Sequence, residues 1–191
     1  VVFHHTADYI EPKSSSDCAT KIRGYQNFHM NTRGWSDIGY NFIICPDGRV
    51  FEGREGGLNA RGAHASANNS WTAGVAFIGQ YHDGVTSGFT NIPTNEAIES
   101  SARLVAWLSF EAEINLDKDL NIPSVKQEVF VPPITYHDFV MKNKVRSPSR
   151  TNCAGSIIIE ELVKSRLSVD MAREYVEDYG GSIPPVAAAI F

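Results

Sequence analysis

Two strands joined by a tight turn are predicted by the segment Tyr40-Asn41-Phe42-Ile43-Ile44-Cys45-Pro46-Asp47-Gly48-Arg49-Val50-Phe51-Glu52, and this hairpin indicates a fold built on a β-sheet. Residues 40–44 and 49–52 are rich in β-branched and aromatic side chains, which favour strands. The Pro-Asp-Gly sequence between them is typical of a hairpin turn. The other strands of the sheet are predicted from the chain on either side of this hairpin.

Three further apolar runs predict the remaining strands. Residues 1–3 form a short β-prone run that ends at His4, and residues 131–136 form a last strand that ends at His137. Residues 73–78 have the continuous apolar character of a central strand. Functional sites gather at strand ends in α/β sheets, so both histidines are candidates for a site.

Three segments with helical spacing predict helices that pack on this sheet. The first begins near Ser16 or Asp17 and ends at Gly34, the second runs from Thr94 to about Phe110, and the third covers residues 156–167. The predicted fold class is α/β, with a central mixed β-sheet flanked by about three α-helices in a single domain.

The composition changes near the end of the chain. From Asp170 a short charged helix is followed by Gly180-Gly181 and Pro184-Pro185, which interrupt regular structure. We therefore predict a domain over residues 1–168 and a C-terminal extension or tail over residues 169–191.

Size, charge and cysteine count narrow the class of protein. The chain has 191 residues, of which 42% are hydrophobic, enough for one domain with its own core. A net charge of −5 and a pI near 5.7 argue against nucleic acid as a partner. No apolar run approaches the roughly 20 residues that span a bilayer, so no membrane span is expected. Three cysteines suit one metal-bound thiolate plus a Cys18–Cys45 pair, which would indicate export, although free thiols fit equally well.

Five residues form a set suited to a zinc hydrolase. His4, His137 and Cys153 offer two imidazoles and one thiolate, which leave a fourth tetrahedral position for water. Bound zinc lowers the pKa of such a water to about 7 and polarises a carbonyl oxygen. Tyr40 can donate its phenolic proton to a developing oxyanion, and the Thr151 hydroxyl can aid orientation or proton movement. The set requires the fold to bring the start, middle and end of the chain together.

Each of these residues also has an ordinary structural interpretation. A single histidine is more often a hydrogen-bonded structural residue, a tyrosine at the head of a strand is more often core, and a buried cysteine is usually inert. Among the rival histidines, His5 would face away from His4 on a strand, and His82 is expected to be exposed. The sequence motifs around these residues decide between the structural and the catalytic interpretation.

Several motifs occur in order along the chain, namely His4-His5-Thr6-Ala7, Gly34-Trp35-Ser36-Asp37-Ile38-Gly39-Tyr40-Asn41-Phe42, Glu52-Gly53-Arg54, Gly62-Ala63-His64 and Gly74-Val75-Ala76-Phe77-Ile78-Gly79. With Asn69 and the segment from His137 to Cys153, they closely resemble the family of peptidoglycan recognition proteins and type-2 N-acetylmuramoyl-L-alanine amidases, to which phage lysin amidases are related. The resemblance covers roughly residues 1–168. It implies a mixed sheet with three helices, one zinc ion in a groove, and cleavage of the amide between N-acetylmuramic acid and L-alanine in bacterial peptidoglycan.

The same resemblance implies roles for single residues. His4, His137 and Cys153 match the family's zinc positions, and Tyr40 and Thr151 match its catalytic partners. Several family members lack the thiolate and only bind peptidoglycan, so Cys153 is the residue that favours an enzyme over a recognition module. A structural component of a larger assembly that retained the fold is a third reading.

The resemblance places four more residues along a substrate groove, namely His29, Arg33, Trp35 and His64. Imidazole and guanidinium groups there could meet peptide carbonyls and carboxylates. Helix packing is the alternative for His29, and a solvated charge at a helix end is the alternative for Arg33. The Gly34-Trp35 pair resembles members that prefer diaminopimelate-type stem peptides.

One ligand segment departs from the family pattern. The family commonly has a cysteine eight residues after the histidine, whereas sixteen positions separate His137 from Cys153. Residues 139–150 are interpreted as a basic surface insertion, either solvated or touching substrate. Because loop length costs little free energy, the ligands still meet if the loop folds back.

The sequence thus predicts a zinc-dependent N-acetylmuramoyl-L-alanine amidase with zinc-bound water as nucleophile and peptidoglycan or muropeptides as partner. A non-catalytic recognition module is the alternative. The expected location is secreted, periplasmic or cell-wall associated, and a phage-encoded lysin fits the same pattern. Oligomeric state is left open.

Overall fold

The computed structural model describes residues 1–9, 14–82, 92–123, 128–131, 133–137, 153–164 and 166–178. The strands are β1 (Val2–His5), β2 (Phe42–Ile44), β3 (Val50–Glu52), β4 (Gly74–Phe77), β5 (Leu120–Pro123), β6 (Glu128–Val131) and β7 (Thr135–Tyr136). The α-helices are α1 (Ser15–Asn31), α2 (Asn95–Glu111) and α3 (Leu167–Asp178), and a π-helical segment covers Ile158–Lys164. Two short 3-10 turns cover Gly57–Asn59 and Ser66–Asn68.

A five-stranded mixed sheet forms the centre of the fold, in the order β3-β2-β4-β1-β7. The predicted hairpin is confirmed, since β2 and β3 pair antiparallel. The predicted central strand is also confirmed, because β4 lies between β1 and β2 and runs parallel to both. The carboxyl ends of these three parallel strands meet at one edge, where His4 and His5 end β1 beside Ala76 and Phe77.

The prediction of one last strand over residues 131–136 is wrong. The chain instead forms β6, which pairs with β5 in a separate two-stranded antiparallel sheet, and then β7, which joins the main sheet beside β1. Pro133 lies between β6 and β7, and proline has no N–H to donate to a strand ladder. The break lets β6 and β7 belong to different sheets.

The first two helices begin at hydroxyl caps. The Ser14 side chain accepts from the backbone N–H of Asp17, so α1 is capped two residues before the predicted Ser16. The second helix was predicted from Thr94, and the Thr94 hydroxyl accepts from the N–H of Ala97 at 3.2 Å. This prediction is confirmed.

The third predicted helix, residues 156–167, is divided in two. The π-helical segment ends at Lys164, and a new helix, α3, starts at Leu167. Arg166 between them has a φ of 64°, a left-handed conformation that no helix can continue through. Helix α3 packs on α2 and buries Val169 and Ala172 in the main core. The domain boundary at residue 168 stays a prediction.

The core has one layer on each face of the sheet. Phe77 and Leu104 of α2 belong to one buried cluster, and Ile43 and Ile22 of α1 belong to the other. Cys18 of α1 and Cys45 after β2 form a disulfide, with Cα atoms 6.1 Å apart, which decides the alternative that the sequence left open. Within the described part of the chain, no helix combines the length and apolarity needed to cross a bilayer.

Candidate metal centre and groove

Three predicted metal ligands meet at the carboxyl edge of the sheet. His4 is the last residue but one of β1, His137 follows β7, and Cys153 follows the long connection from His137. Each offers one ligand atom, and these atoms lie within 4.8 Å of one another. Cys153 Sγ is 3.4 Å from His4 Nδ1, close to the about 3.6 Å that tetrahedral zinc with one nitrogen and one sulfur ligand requires. The donor set therefore fits zinc.

The surroundings of His4 keep its imidazole neutral, as a metal ligand must be. Burial lowers the pKa of His4 well below its ordinary value, and the neighbouring His64 and His137 add to the effect. Burial likewise lowers the pKa of His64 to about 3. Neither His4 nor His64 therefore takes up a second proton at neutral pH.

Tyr40 stands beside the three ligands. The strand predicted from residue 40 begins at Phe42, so Tyr40 precedes β2, and its ring centroid is 5.2 Å from that of His4. Burial raises the pKa of Tyr40, and the neighbouring Cys153 raises it further. The phenol therefore keeps its proton at neutral pH and can donate a hydrogen bond. Thr151 and the 139–150 insertion lie outside the described residues.

The backbone between Tyr40 and the start of β2 is held in place by Asn41, which is 1% exposed. Its Nδ2 donates to the carbonyl oxygens of Gly57 and Ala60 at 2.9 and 2.8 Å. Its Oδ1 accepts from the N–H of Gly74 at 2.9 Å. One amide therefore joins β2, β4 and the intervening Gly-rich loop.

A second polar group fixes the loop before Tyr40. The Asp37 carboxylate accepts from the Gln26 side chain and from the N–H groups of Ile38 and Glu55. Arg54 donates to the carbonyl oxygens of Ile38 and Asp37 at 2.9 and 3.1 Å. Partial burial opposes ionisation of Asp37, but the three hydrogen bonds, with Arg54, bring its pKa below the ordinary value.

A groove of about 800 Å³ opens beside the cluster. All four side chains predicted to line it do so, namely His29, Arg33, Trp35 and His64. The ring of His29 stacks on Trp35 at 4.7 Å, and its Nδ1 accepts from the N–H of Gly39. Arg33 lies over the ring of Phe28 at 5.3 Å. The groove thus has an aromatic wall with a guanidinium at its edge.

Sequence reasoning missed several groove residues, including Tyr9, Phe28 and Gln80. Gln80 is 6% exposed, and its Oε1 has no hydrogen-bond partner within the described structure. It follows β4 at the same sheet edge as His4. The available signal was a polar residue that follows the end of a central strand by three positions, since functional sites gather at strand ends.

The rival histidines stay outside the ligand set. His5 Nδ1 accepts from the N–H of Tyr81 at 3.2 Å, and burial lowers the pKa of His5 to about 4. His82 was expected to be exposed but is partly buried, with Nδ1 3.2 Å from Ser156 Oγ. Cys18 and Cys45 also lie near a carboxylate, but their sulfurs are joined to each other and are not thiolates.

A mixed sheet with a His–His–Cys cluster at its carboxyl edge, beside an aromatic-walled groove, defines the class of peptidoglycan recognition and amidase folds. The sequence profile of the N-acetylmuramoyl-L-alanine amidase family matches residues 1–156, and the chain belongs to this family.

Individual relatives agree with this assignment. The chain is 42% identical over 106 residues to peptidoglycan-recognition protein SC2 of Drosophila simulans, which is 55% of this chain and 52% of that protein. It is 46% identical over 81 residues to an N-acetylmuramoyl-L-alanine amidase of Sus scrofa, which is 41% of this chain and 13% of that protein. The chain thus spans about half, or less, of the curated relatives it matches.

Solved structures are similar over more of the chain. Wild-type Drosophila PGRP-LB has a TM-score of 0.64 and 27% identity, covering 85% of this chain and 78% of that one. Peptidoglycan recognition protein LE in complex with tracheal cytotoxin, a monomeric diaminopimelic acid-type peptidoglycan, also has a TM-score of 0.64 and 27% identity, covering 85% and 76%. The predicted fold class is confirmed.

Proposed function

We propose that this protein is a zinc-dependent N-acetylmuramoyl-L-alanine amidase that cleaves the amide between N-acetylmuramic acid and L-alanine in bacterial peptidoglycan. The observation that carries the proposal is the meeting of His4, His137 and Cys153, whose ligand atoms lie within 4.8 Å of one another. Recognition without cleavage needs no such thiolate. A cysteine outside any disulfide beside two histidines is the donor set of a catalytic zinc site with one open position.

The chain's own groups have distinct tasks in this reaction. When bound, zinc polarises the scissile carbonyl and activates a water molecule as nucleophile. His4, His137 and Cys153 would hold the metal, and the lowered pKa of His4 keeps its lone pair available. Tyr40 keeps its proton and donates a hydrogen bond to the oxyanion that develops on the substrate. Thr151 is proposed, from its sequence match, to orient the reacting groups.

The groove supplies the binding. The His29–Trp35 stack offers an apolar wall, and Arg33 at its edge can pair with a peptide carboxylate. The likeness to a structure that holds a diaminopimelic acid-type muropeptide supports a ligand of this kind. The Cys18–Cys45 disulfide supports export, since such bonds persist in oxidising compartments.

The proposal is tested by measuring cleavage and binding separately on three proteins. Insoluble peptidoglycan is incubated with the wild type, Cys153→Ser and Tyr40→Phe, and new L-alanine amino termini and co-sedimented protein are both counted. The wild type should cleave peptidoglycan, and Cys153→Ser should bind it without cleaving it. In Tyr40→Phe the kcat should fall about 10²–10³-fold while the protein keeps its zinc. Urea unfolding of each variant confirms that its fold is intact.

Two outcomes would count against the amidase. Binding by the wild type without any cleavage would establish the recognition module instead. Full turnover by Cys153→Ser would reject the proposed ligand set.

A further inference from the structure

The ring of His64 lies in a slot between two glycines. A Cβ added at Gly62 or at Gly74 would lie 2.6 Å from Cδ2 of His64, a distance that Cβ atoms in proteins essentially never show. Neither glycine has a positive φ, so these positions require the absence of a side chain rather than backbone freedom. His64 is 7% exposed. The ring is therefore held in one place, with only an edge in the groove.

The surroundings of His64 Nε2 fix where its proton sits. This nitrogen faces the carbonyl oxygen of Thr72 at 3.3 Å and the hydroxyl oxygen of Thr72 at 3.4 Å. The hydroxyl proton is already donated to the carbonyl oxygen of Asn68 at 2.7 Å. Both partners of Nε2 are therefore acceptors, and Nε2 has to carry a proton.

The other nitrogen of His64 then determines the state of His4. Both rings are buried, and none of their hydrogen bonds within the described structure involves a carboxylate, so a doubly protonated ring would be costly. In the neutral ring Nδ1 is an acceptor, and it lies 2.9 Å from His4 Nε2. His4 Nε2 therefore donates, and His4 Nδ1 carries no proton.

That unprotonated Nδ1 is the atom 3.4 Å from Cys153 Sγ. We propose that His64 is a positioning residue which, anchored on Thr72, sets the tautomer and orientation of His4 so that Nδ1 faces the metal. The inference rests on the proposed function, in which His4 is a ligand. Partners of this kind hold a ligating imidazole in place, and their loss typically weakens metal binding 10–100-fold.

Two variants separate positioning from general packing. His64→Leu fills the slot with an apolar side chain and leaves His4 Nε2 without an acceptor. His64→Asn is smaller but can turn its amide oxygen toward His4, near the place of Nδ1. If His64 only fills space, leucine is the better replacement, and if it acts as an acceptor, asparagine is.

The first measurement is long-range ¹H–¹⁵N NMR of the imidazoles in the metal-free wild type. Both His4 and His64 should be protonated on Nε2. The second is zinc affinity by competition with a chromophoric chelator, which should fall about 10–100-fold in His64→Leu and stay within a few-fold of the wild type in His64→Asn.

The outcomes distinguish this inference from the proposed function. A proton on Nδ1 of His4 in the wild type, or unchanged zinc affinity in folded His64→Leu, would overturn the positioning role while leaving the amidase standing. No zinc binding by the wild type would overturn the amidase, and the positioning role with it. If His64→Leu does not fold, the wild-type tautomers decide the question alone.

Discussion

The buried amide of Asn41 provides a sharp test of how the site is held. Asn41→Ala removes a donor to two carbonyl oxygens and the acceptor for the N–H of Gly74. Gly57 O keeps a second donor, the N–H of Ala60, so it stays satisfied. The N–H of Gly74 and the carbonyl of Ala60 lose their partners, and an orphaned buried group costs about 1–3 kcal/mol. With the lost bonds themselves, we expect a destabilisation of about 3–5 kcal/mol.

Asn41→Asp separates the donor role from the acceptor role. The aspartate still accepts from the N–H of Gly74, but its other oxygen faces the two carbonyl oxygens where Nδ2 donated. The buried charge raises the pKa of the new carboxyl in the folded protein. This variant should therefore be destabilised at pH 7.5 and recover as the pH falls, because protonation restores a donor. Asn41→Ala should show no such recovery.

The assay is urea unfolding at pH 7.5 and 4.5, with each variant compared with the wild type at the same pH. Asn59→Asp is the matched control, because it makes the same chemical change at an exposed position of the same loop. The free energy of unfolding of Asn59→Asp should stay within about 0.5 kcal/mol of the wild-type value. If Asn41→Asp were no worse than this control at pH 7.5, or failed to recover at pH 4.5, the role given to Asn41 would be refuted.

Three further predictions concern other parts of the molecule. Hydrogen bonds keep the folded pKa of Asp37 below its unfolded value, so Asp37 adds stability at neutral pH that is lost as the pH falls through the folded pKa. Asp37→Asn should cost about 1–2 kcal/mol in urea unfolding at pH 7 and clearly less near pH 3, and an equal cost at both would contradict this. Replacing Cys18 and Cys45 by alanine should lower the free energy of unfolding by about 3–4 kcal/mol, since the bond closes a separation of 27 residues, and an unchanged urea midpoint would argue against it. Gln80→Met should leave the free energy of unfolding unchanged or raised, because Oε1 is buried without a partner among the described residues, yet should weaken muropeptide binding in calorimetry. A fall of more than about 1 kcal/mol in the free energy of unfolding would show that Gln80 is structural.

Short sequence motifs were enough to predict the elements whose structure depends on a few neighbouring residues. The hairpin turn, the apolar run of β4 and the Thr94 cap each lie within a few residues, and the structure confirms all three. The divided strand was missed because the pairing of β6 with β5 is a tertiary choice. The helix break was missed because the left-handed conformation of Arg166 has no glycine or proline to indicate it.

The candidate site depended on more than local pattern. Strand ends alone selected His4 and His137, but 149 positions separate His4 from Cys153, and nothing in their spacing predicts that they meet. The family resemblance supplied that link. The sequence could not decide between a Cys18–Cys45 pair and free thiols, and it gave no sign of the slot around His64, because both depend on how distant segments approach one another.

We propose that one zinc ion, held by His4, His137 and Cys153, makes this chain an amidase. The most direct measurement is the rate of L-alanine amino-terminus release from peptidoglycan as zinc is added stepwise to the metal-free protein. We expect the rate to rise to a plateau at one zinc per chain in the wild type, and not to rise in Cys153→Ser. Release that is independent of zinc, or none at any zinc level from a wild type that binds peptidoglycan, would contradict it.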